Sequence, residues 1–234
     1  MPLKAELDHL VVMAANLDEG VRWCEATLGV TPGPGGSHPL MGTHNRLLRI
    51  DGPGFDRAYL EIIAVDPSAA PTRAPGLRRW FDLDDPALMQ SMKRHGPQLG
   101  HWVARITDVD TALKGWSRLG IERGPVLSAS RMSAAGLLEW KITVRDDGQR
   151  LFDGALPTLI QWGAVHPVSQ MAVSGVRLQA LRLQHREAPA LSSALGQLGL
   201  ADGQRIRVDA GPSRVEAWLD TPAGSVRLGA GMTV

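Results

Sequence analysis

Of cysteine the chain has one residue in 234, of tyrosine one, and of phenylalanine three. With Cys24 alone no disulfide can close within the chain, and a reducing compartment fits. An excess of either charge is lacking too. Lys+Arg number 25 against 24 Asp+Glu, a formal net of +1, so electrostatics gives no reason to expect nucleic acid or an anionic membrane as a partner. No apolar run approaches the roughly 18 residues of a membrane-spanning helix, and the opening MPLKAELDHLVV has no export-type apolar core. A cytoplasmic protein is therefore expected. Also missing are a CxxC pair, a G-x-S-x-G nucleophile turn and a Gly-rich phosphate loop ahead of a helix. What is present, 44% hydrophobic and 21% charged residues, suffices for a real buried core.

The informative feature is repetition. "HLVVMAANLDEGVRW" from His9 and "HWVARITDVDTALKGW" from His101 align in one register: His9 on His101, Val11 on Val103, Asn16 on Asp108, Asp18 on Asp110. Each copy reads as an apolar strand, an N-cap residue and an amphipathic helix that closes on a Leu-Gly step. The copies also end alike, in "EIIAVDP" (61–67) and "QWGAVHP" (161–167). Room remains in each for two further strands, around "THNRLLRI" and "GLLEWKITV", so the unit is βαβββ written twice. The expected organisation is a first module over 1–67, a linker with one helix over 68–98, a second module over 99–168, and a weaker βαβββ-like module over 169–234. Asp85, Pro86 and Gly96 punctuate the linker helix. The third module, lacking a fourth to pair with, leaves a sheet edge on which a two-fold homodimer is expected.

Paired βαβββ modules with a histidine on the first strand of each resemble the vicinal oxygen chelate superfamily. "LDHLVV", "GGSHPLMGTHNRLL" and "YLEIIAVDP" resemble its glyoxalase-like branch over residues 5–168. The resemblance implies an α+β fold in which the two modules form a curled mixed sheet around a cup, with helices outside. It also implies a metal site built from the first and last strands of each module: His9 and Glu61 from one, His101 and Gln161 from the other. Two imidazoles and a carboxylate suit a divalent Zn, Ni, Co, Mn or Fe ion with positions left for substrate. Such an ion would polarise a small oxygen-rich substrate for lyase or isomerase chemistry through an enediolate-like intermediate. Because Gln161 cannot accept a proton, Glu61 is the one candidate base. Two alternatives stand beside this reading: a metal-free binding or sequestering protein of the antibiotic-resistance kind, and a non-haem iron dioxygenase.

Each candidate also has a purely structural explanation. His9 and His101 on apolar strands could be hydrogen-bonded core residues, and Gln161 could bond backbone. A carboxylate inside "AYLEIIAV" is harder to dismiss, since an unpaired buried acid costs on the order of several kcal/mol. Arg105 could grip an anionic substrate group or pair with Glu61. Trp102 could line an apolar ligand, although strand alternation puts it with Ala104 and Ile106 opposite His101. In "GGSHPLMGTHN" (35–45) alternation sets Thr43 and Asn45 one way and His44 the other, so Thr43 and Asn45 are expected to orient a ligand. His38 and His44 lie at no recognised ligand spacing. The stretch is expected to shape the pocket rather than bind metal.

Overall fold

Asn16, Asp85 and Asp108 cap their helices as side chains at those positions should, each accepting a backbone N–H of the first turn. In the computed structural model, which describes residues 4–133, 136–200 and 203–229, three helices follow from these caps: α1 (Leu17–Leu28), α2 (Pro86–His95) and α3 (Val109–Ser117). Gly29, at φ 69°, closes α1 in the left-handed conformation that glycine adopts without a Cβ penalty.

Around them runs an eight-stranded sheet. The first module supplies β1 (Glu6–Met13), β2 (Ser37–His38), β3 (Thr43–Arg49) and β4 (Tyr59–Val65). The second supplies β5 (Gln98–Arg105), β6 (Val126–Ser133), β7 (Gly136–Thr143) and β8 (Thr158–Trp162). Their order, β2-β3-β4-β1-β5-β8-β7-β6, is the same half-sheet twice, joined where β1 and β5 run antiparallel. In each half the first strand pairs parallel with the last, β1 with β4 and β5 with β8.

Period-two alternation sorts these strands between two cores. Leu10, Val12, Leu60, Ile62, Trp102, Ala104 and Leu159 face α1, α3 and the C-terminal part of the chain. Val11, Met13, Ile63, Val103, Ile142 and Ile160 face the concave side. There the linker does more than connect. Trp80, Phe81, Leu83, Leu88 and Met92 pack into the hollow and fill much of what the paired modules enclose.

The C-terminal part keeps the element order β9 (Arg177–His185), α4 (Ala188–Gln197), β10 (Ile206–Ala210), β11 (Arg214–Thr221), β12 (Gly224–Leu228). Its pairing differs from the first two modules. Here β9 is parallel to β10, the strand directly after its helix, in a separate sheet ordered β10-β9-β11-β12. The leucines of β9 and α4 lie in the same core as Trp102 and Trp116, whose indole N–H donates to the Ala194 carbonyl at 2.9 Å. Its apolar face is thus spent on the convex side of the main sheet.

Candidate functional site

A bulge in β1 sets the site. Leu7 pairs with Ala104 and His9 with Val103, so Asp8 is an extra residue in the ladder. Strict alternation would turn Asp8 away from its neighbour; the bulge lets its carboxylate turn with the imidazole instead. Asp8 Oδ1 lies 2.7 Å from His9 Nδ1, while Oδ2 accepts from Trp162 Nε1 at 3.0 Å and from His166 Nε2 at 2.9 Å. On the other side of the ring, His9 Nε2 is 3.6 Å from Glu61 Oε2. Both ring nitrogens thus face carboxylates, which requires both to carry hydrogen. Burial pulls the imidazole towards its neutral form, but the hydrogen bonds to Asp8 and then Glu61 outweigh it and raise its pKa from 6.5 to about 9. The Tyr59 ring stacks on this cation at 4.6 Å and 22°.

Asp8 is 0% exposed. Burial alone would lift its pKa, yet the bonds to His166 and His9 hold the carboxyl well below the usual range. Glu61 behaves alike: burial opposes ionisation, and His9 followed by His38 and Asn45 restores it. Asn45 Nδ2 donates to Glu61 Oε1 at 2.6 Å and approaches His38 Nε2 at 3.4 Å, while its Oδ1 accepts from Gly36 N at 2.8 Å. His38 Nδ1 in turn lies 3.1 Å from Thr43 Oγ1. With Nε2 accepting from Asn45, His38 is neutral and protonated on Nδ1; burial, helped by Arg131 and His9, takes its pKa down to about 4. Gly35 makes this layout possible, because a Cβ there would overlap the backbone carbonyl of Asn45.

His9, His38, Asn45, Tyr59 and Glu61 form one wall of a cavity of about 40 Å³, bounded elsewhere by Trp80, Phe81, Trp140, Trp162, Ile142, Ile160 and Pro167. Two donors around it are unsatisfied. Trp80 is 7% exposed and its Nε1 has no partner; neither has Arg131 Nη1. Buried N–H groups without acceptors are costly and uncommon in folded proteins. The His9 imidazolium and Arg131 outweigh the one lining carboxylate, Glu61, and with two idle donors the cavity favours an oxyanion.

Of the residues singled out in the sequence, His9, Glu61, Thr43 and Asn45 come together here. His44 lies on the other side of β3, 3.9 Å from Asp66. Four others are placed elsewhere, each for a physical reason. His101, 0% exposed, has Nδ1 3.0 Å from the Gly154 carbonyl and Nε2 3.0 Å from Thr158 Oγ1, with the Phe81 ring centred 5.0 Å away. Burial, with Arg123 and Arg150 nearby, holds it well below its ordinary pKa, as a neutral core histidine. Gln161 Oε1 accepts from Val109 N at 3.0 Å and so serves the start of α3. Arg105 bonds the Leu7 carbonyl at 2.9 Å and pairs with Glu6, not Glu61. Trp102 lies in the convex core, its indole donating to Ala155 O at 2.8 Å. The expected metal quartet is therefore not assembled: two of its four members have spent their donor atoms on the fold. Among the described residues no three His, Cys, Asp or Glu side chains are grouped to hold a metal ion.

Asp8, His166, Trp80 and Arg131 complete the site without having been assigned a role from the sequence, and His38 lines it as part of the stretch expected to shape the pocket. Asp8 is masked by alternation, and His166 by its distance along the chain. Tyr59, two residues before Glu61 on β4, shares its face by alternation.

The charges around His9 predict a pH profile. Asp8 and Glu61 flank the ring, Tyr59 and His166 pack beside it, and His38 and Arg131 share the cavity. Since its folded pKa is raised, His9 contributes stability that is complete below pH 6.5 and is lost as pH climbs through about 9. Asp8 and Glu61, both lowered, contribute stability that is complete above the ordinary carboxylate range of about 4 and is lost progressively as pH falls below it towards their lowered folded values. Urea midpoints should therefore peak near pH 5–6.5 and fall towards pH 9, by up to about 3 kcal/mol of stability. A flat profile between pH 6.5 and 9 would mean that His9 is neutral in the folded protein.

The family described as "Glyoxalase-like domain" matches residues 7–199. No match is found among curated proteins. Among solved structures, a hypothetical protein from Staphylococcus aureus superposes with a TM-score of 0.58 at 12% identity, over 96% of this chain and 85% of its own. A methylmalonyl-CoA epimerase in complex with methylmalonyl-CoA and NH4+ matches at a TM-score of 0.41 and 21% identity, over 70% of this chain and 98% of its own. The corresponding epimerase from Mycobacterium tuberculosis gives 0.38 and 16%, over 70% and 91%. At 12% identity the likeness to the Staphylococcus aureus protein concerns fold alone.

Proposed function

Since the chain belongs to the glyoxalase-like domain family of the vicinal oxygen chelate superfamily, we propose that it binds a small oxygen-rich anion in the cup and moves a proton on it, through an enediolate-like intermediate. One observation carries the reading: His9, with a carboxylate at each ring nitrogen, beside a cavity that also holds two unpartnered donors.

The chemistry follows from these groups. Asp8 holds His9 Nδ1, leaving Nε2–H to donate to a substrate carbonyl oxygen. As a neighbouring C–H bond breaks, charge gathers on that oxygen, which the His9 N–H bonds in a cavity that Trp80 and Arg131, each with an unpartnered N–H, also line. Donors positioned in advance are worth far more in a dry cavity than in water. Glu61 takes the proton. While Nε2 faces Glu61 it keeps the carboxylate weakly basic; once Nε2 turns to substrate, that restraint is lifted and basicity recovers. Returning the proton to another face or carbon completes an isomerisation, and loss of a leaving group from the same intermediate gives a lyase. No step runs through a metal, because His101 and Gln161 do not reach the site. The two-fold dimer remains part of the proposal, through β10 or β12, the edge strands of the smaller sheet.

The test is hydrogen–deuterium exchange at the carbon beside the carbonyl of pyruvate and longer 2-oxo acids in D2O, with the metal content of the same sample measured. Catalysed exchange by protein carrying substoichiometric metal, unchanged by EDTA, supports the reading. A stoichiometric transition metal whose removal stops exchange, or no exchange with any acid, overturns it.

A further inference from the structure

The cavity at His9 is far too small for a substrate of ordinary size, yet it does not stand alone. Beside it runs a groove of about 700 Å³, and Leu47, Arg131 and Pro167 line both. The groove's walls come from the segment after α1, the β6–β7 hairpin and the stretch after β8. Val30, Leu47, Met132, Leu138, Met171 and Val173 make them largely apolar. Met132 is 75% exposed and Val173 79%, with Leu137 at 46% on the same hairpin. Isolated exposed apolar side chains need no explanation, but several along one groove mark a surface that binds something. At the junction sits Arg131, whose Nη1 is buried without a partner.

We propose that the substrate is an amphiphile: an oxygenated carboxylate head at His9 and Glu61, its anionic group on Arg131, and an unbranched aliphatic tail along this groove. The inference rests on the oxyanion reading above and goes beyond it by assigning the tail. Three features of the molecule carry it together. The two spaces border the same residues, Leu47, Arg131 and Pro167, so a molecule seated at His9 lies within a side chain's reach of the groove. A cation with an idle donor stands where an acid's charged end and its chain would meet. Past that point polar groups give way to carbon. The groove's volume is that of a typical small-molecule site.

The experiment is a binding series of straight-chain 2-oxo acids, from pyruvate to 2-oxododecanoate, followed by quenching of tryptophan fluorescence. Affinity should rise about threefold to fourfold for each methylene added beyond about five carbons, the increment for burying CH2 groups. Val173→Asp and Met132→Asp, both at exposed positions that tolerate a charge in the folded chain, should flatten the series. Leu119→Asp, in a different surface recess, should leave it steep. Arg131→Gln should weaken every member alike, by about tenfold or more. Short acids that bind while affinity stays flat with length would overturn the tail assignment and leave the oxyanion site standing. A series as steep in the Val173 and Met132 variants as in the parent protein would place the tail elsewhere and overturn it too. Failure of all acids to bind, short ones included, would overturn both readings.

Discussion

Asp8→Ala is expected to lower the free energy of unfolding by about 3–5 kcal/mol, the range seen when one partner of a buried ion pair is removed. The carboxylate is wholly buried and accepts at once from His9, His166 and Trp162. Deleting it leaves an imidazolium whose nearest remaining negative charge is Glu61 at 3.6 Å, and two donors with no acceptor, His166 buried and Trp162 half-buried. Each orphaned donor alone costs about 1–3 kcal/mol. His9 would answer in part by losing its proton, which softens the loss and erases the decline in stability between pH 6.5 and 9. Asp8→Asn, which keeps one carbonyl oxygen as acceptor, should cost about half as much. Urea unfolding followed by tryptophan fluorescence at pH 6 measures both. A loss below about 1 kcal/mol for Asp8→Ala would show that the Asp8–His9–His166 cluster is not what holds this end of the sheet.

Glu61→Gln is expected to slow proton exchange by about 10²–10⁴-fold, the usual contribution of a positioned general base. The amide keeps the shape of the carboxylate and can still accept from Asn45, so binding of the acid should change much less than the rate. That split separates a base from a mere binding group. Loss of exchange with retained affinity is the expected outcome; a rate within a few-fold of the parent protein removes Glu61 from the chemistry. Were the variant to lose affinity and rate in equal measure, Glu61 would be acting through the placement of His9. Circular dichroism of the variant checks that the fold survives, which matters because His9 would then keep Asp8 as its one charged partner.

How far the sequence reached differs between strands and sites. The doubled module was readable because helix starts and ends carry local chemistry. Asn16, Asp108 and Gly29 act on groups within a few residues of themselves. The concave placement of Thr43, Asn45 and Glu61 was readable too, since alternation along a regular strand fixes a face once one residue is assigned. The same rule failed at Asp8 because a bulge inserts a residue and resets the phase, and nothing in "ELDHLVV" announces it. It failed for Gln161 in another way. Position at the end of β8 matched the expected ligand, but the nearby start of α3 offered an unpaired backbone N–H, and the amide went there.

What the sequence determined by itself is the architecture of paired modules and the strand faces, because these follow from local capping and short-range periodicity. Only the tertiary structure decided which histidine is a cation and which a neutral core residue. That choice depends on carboxylates and carbonyls brought from remote segments: Glu61 against His9, Gly154 and Thr158 against His101. Chain folding likewise decided that Trp80 and Phe81, read as part of a linker, occupy the hollow and leave a small polar cavity. Protonation and pocket shape are set by distances in space, and distance along the chain does not encode them.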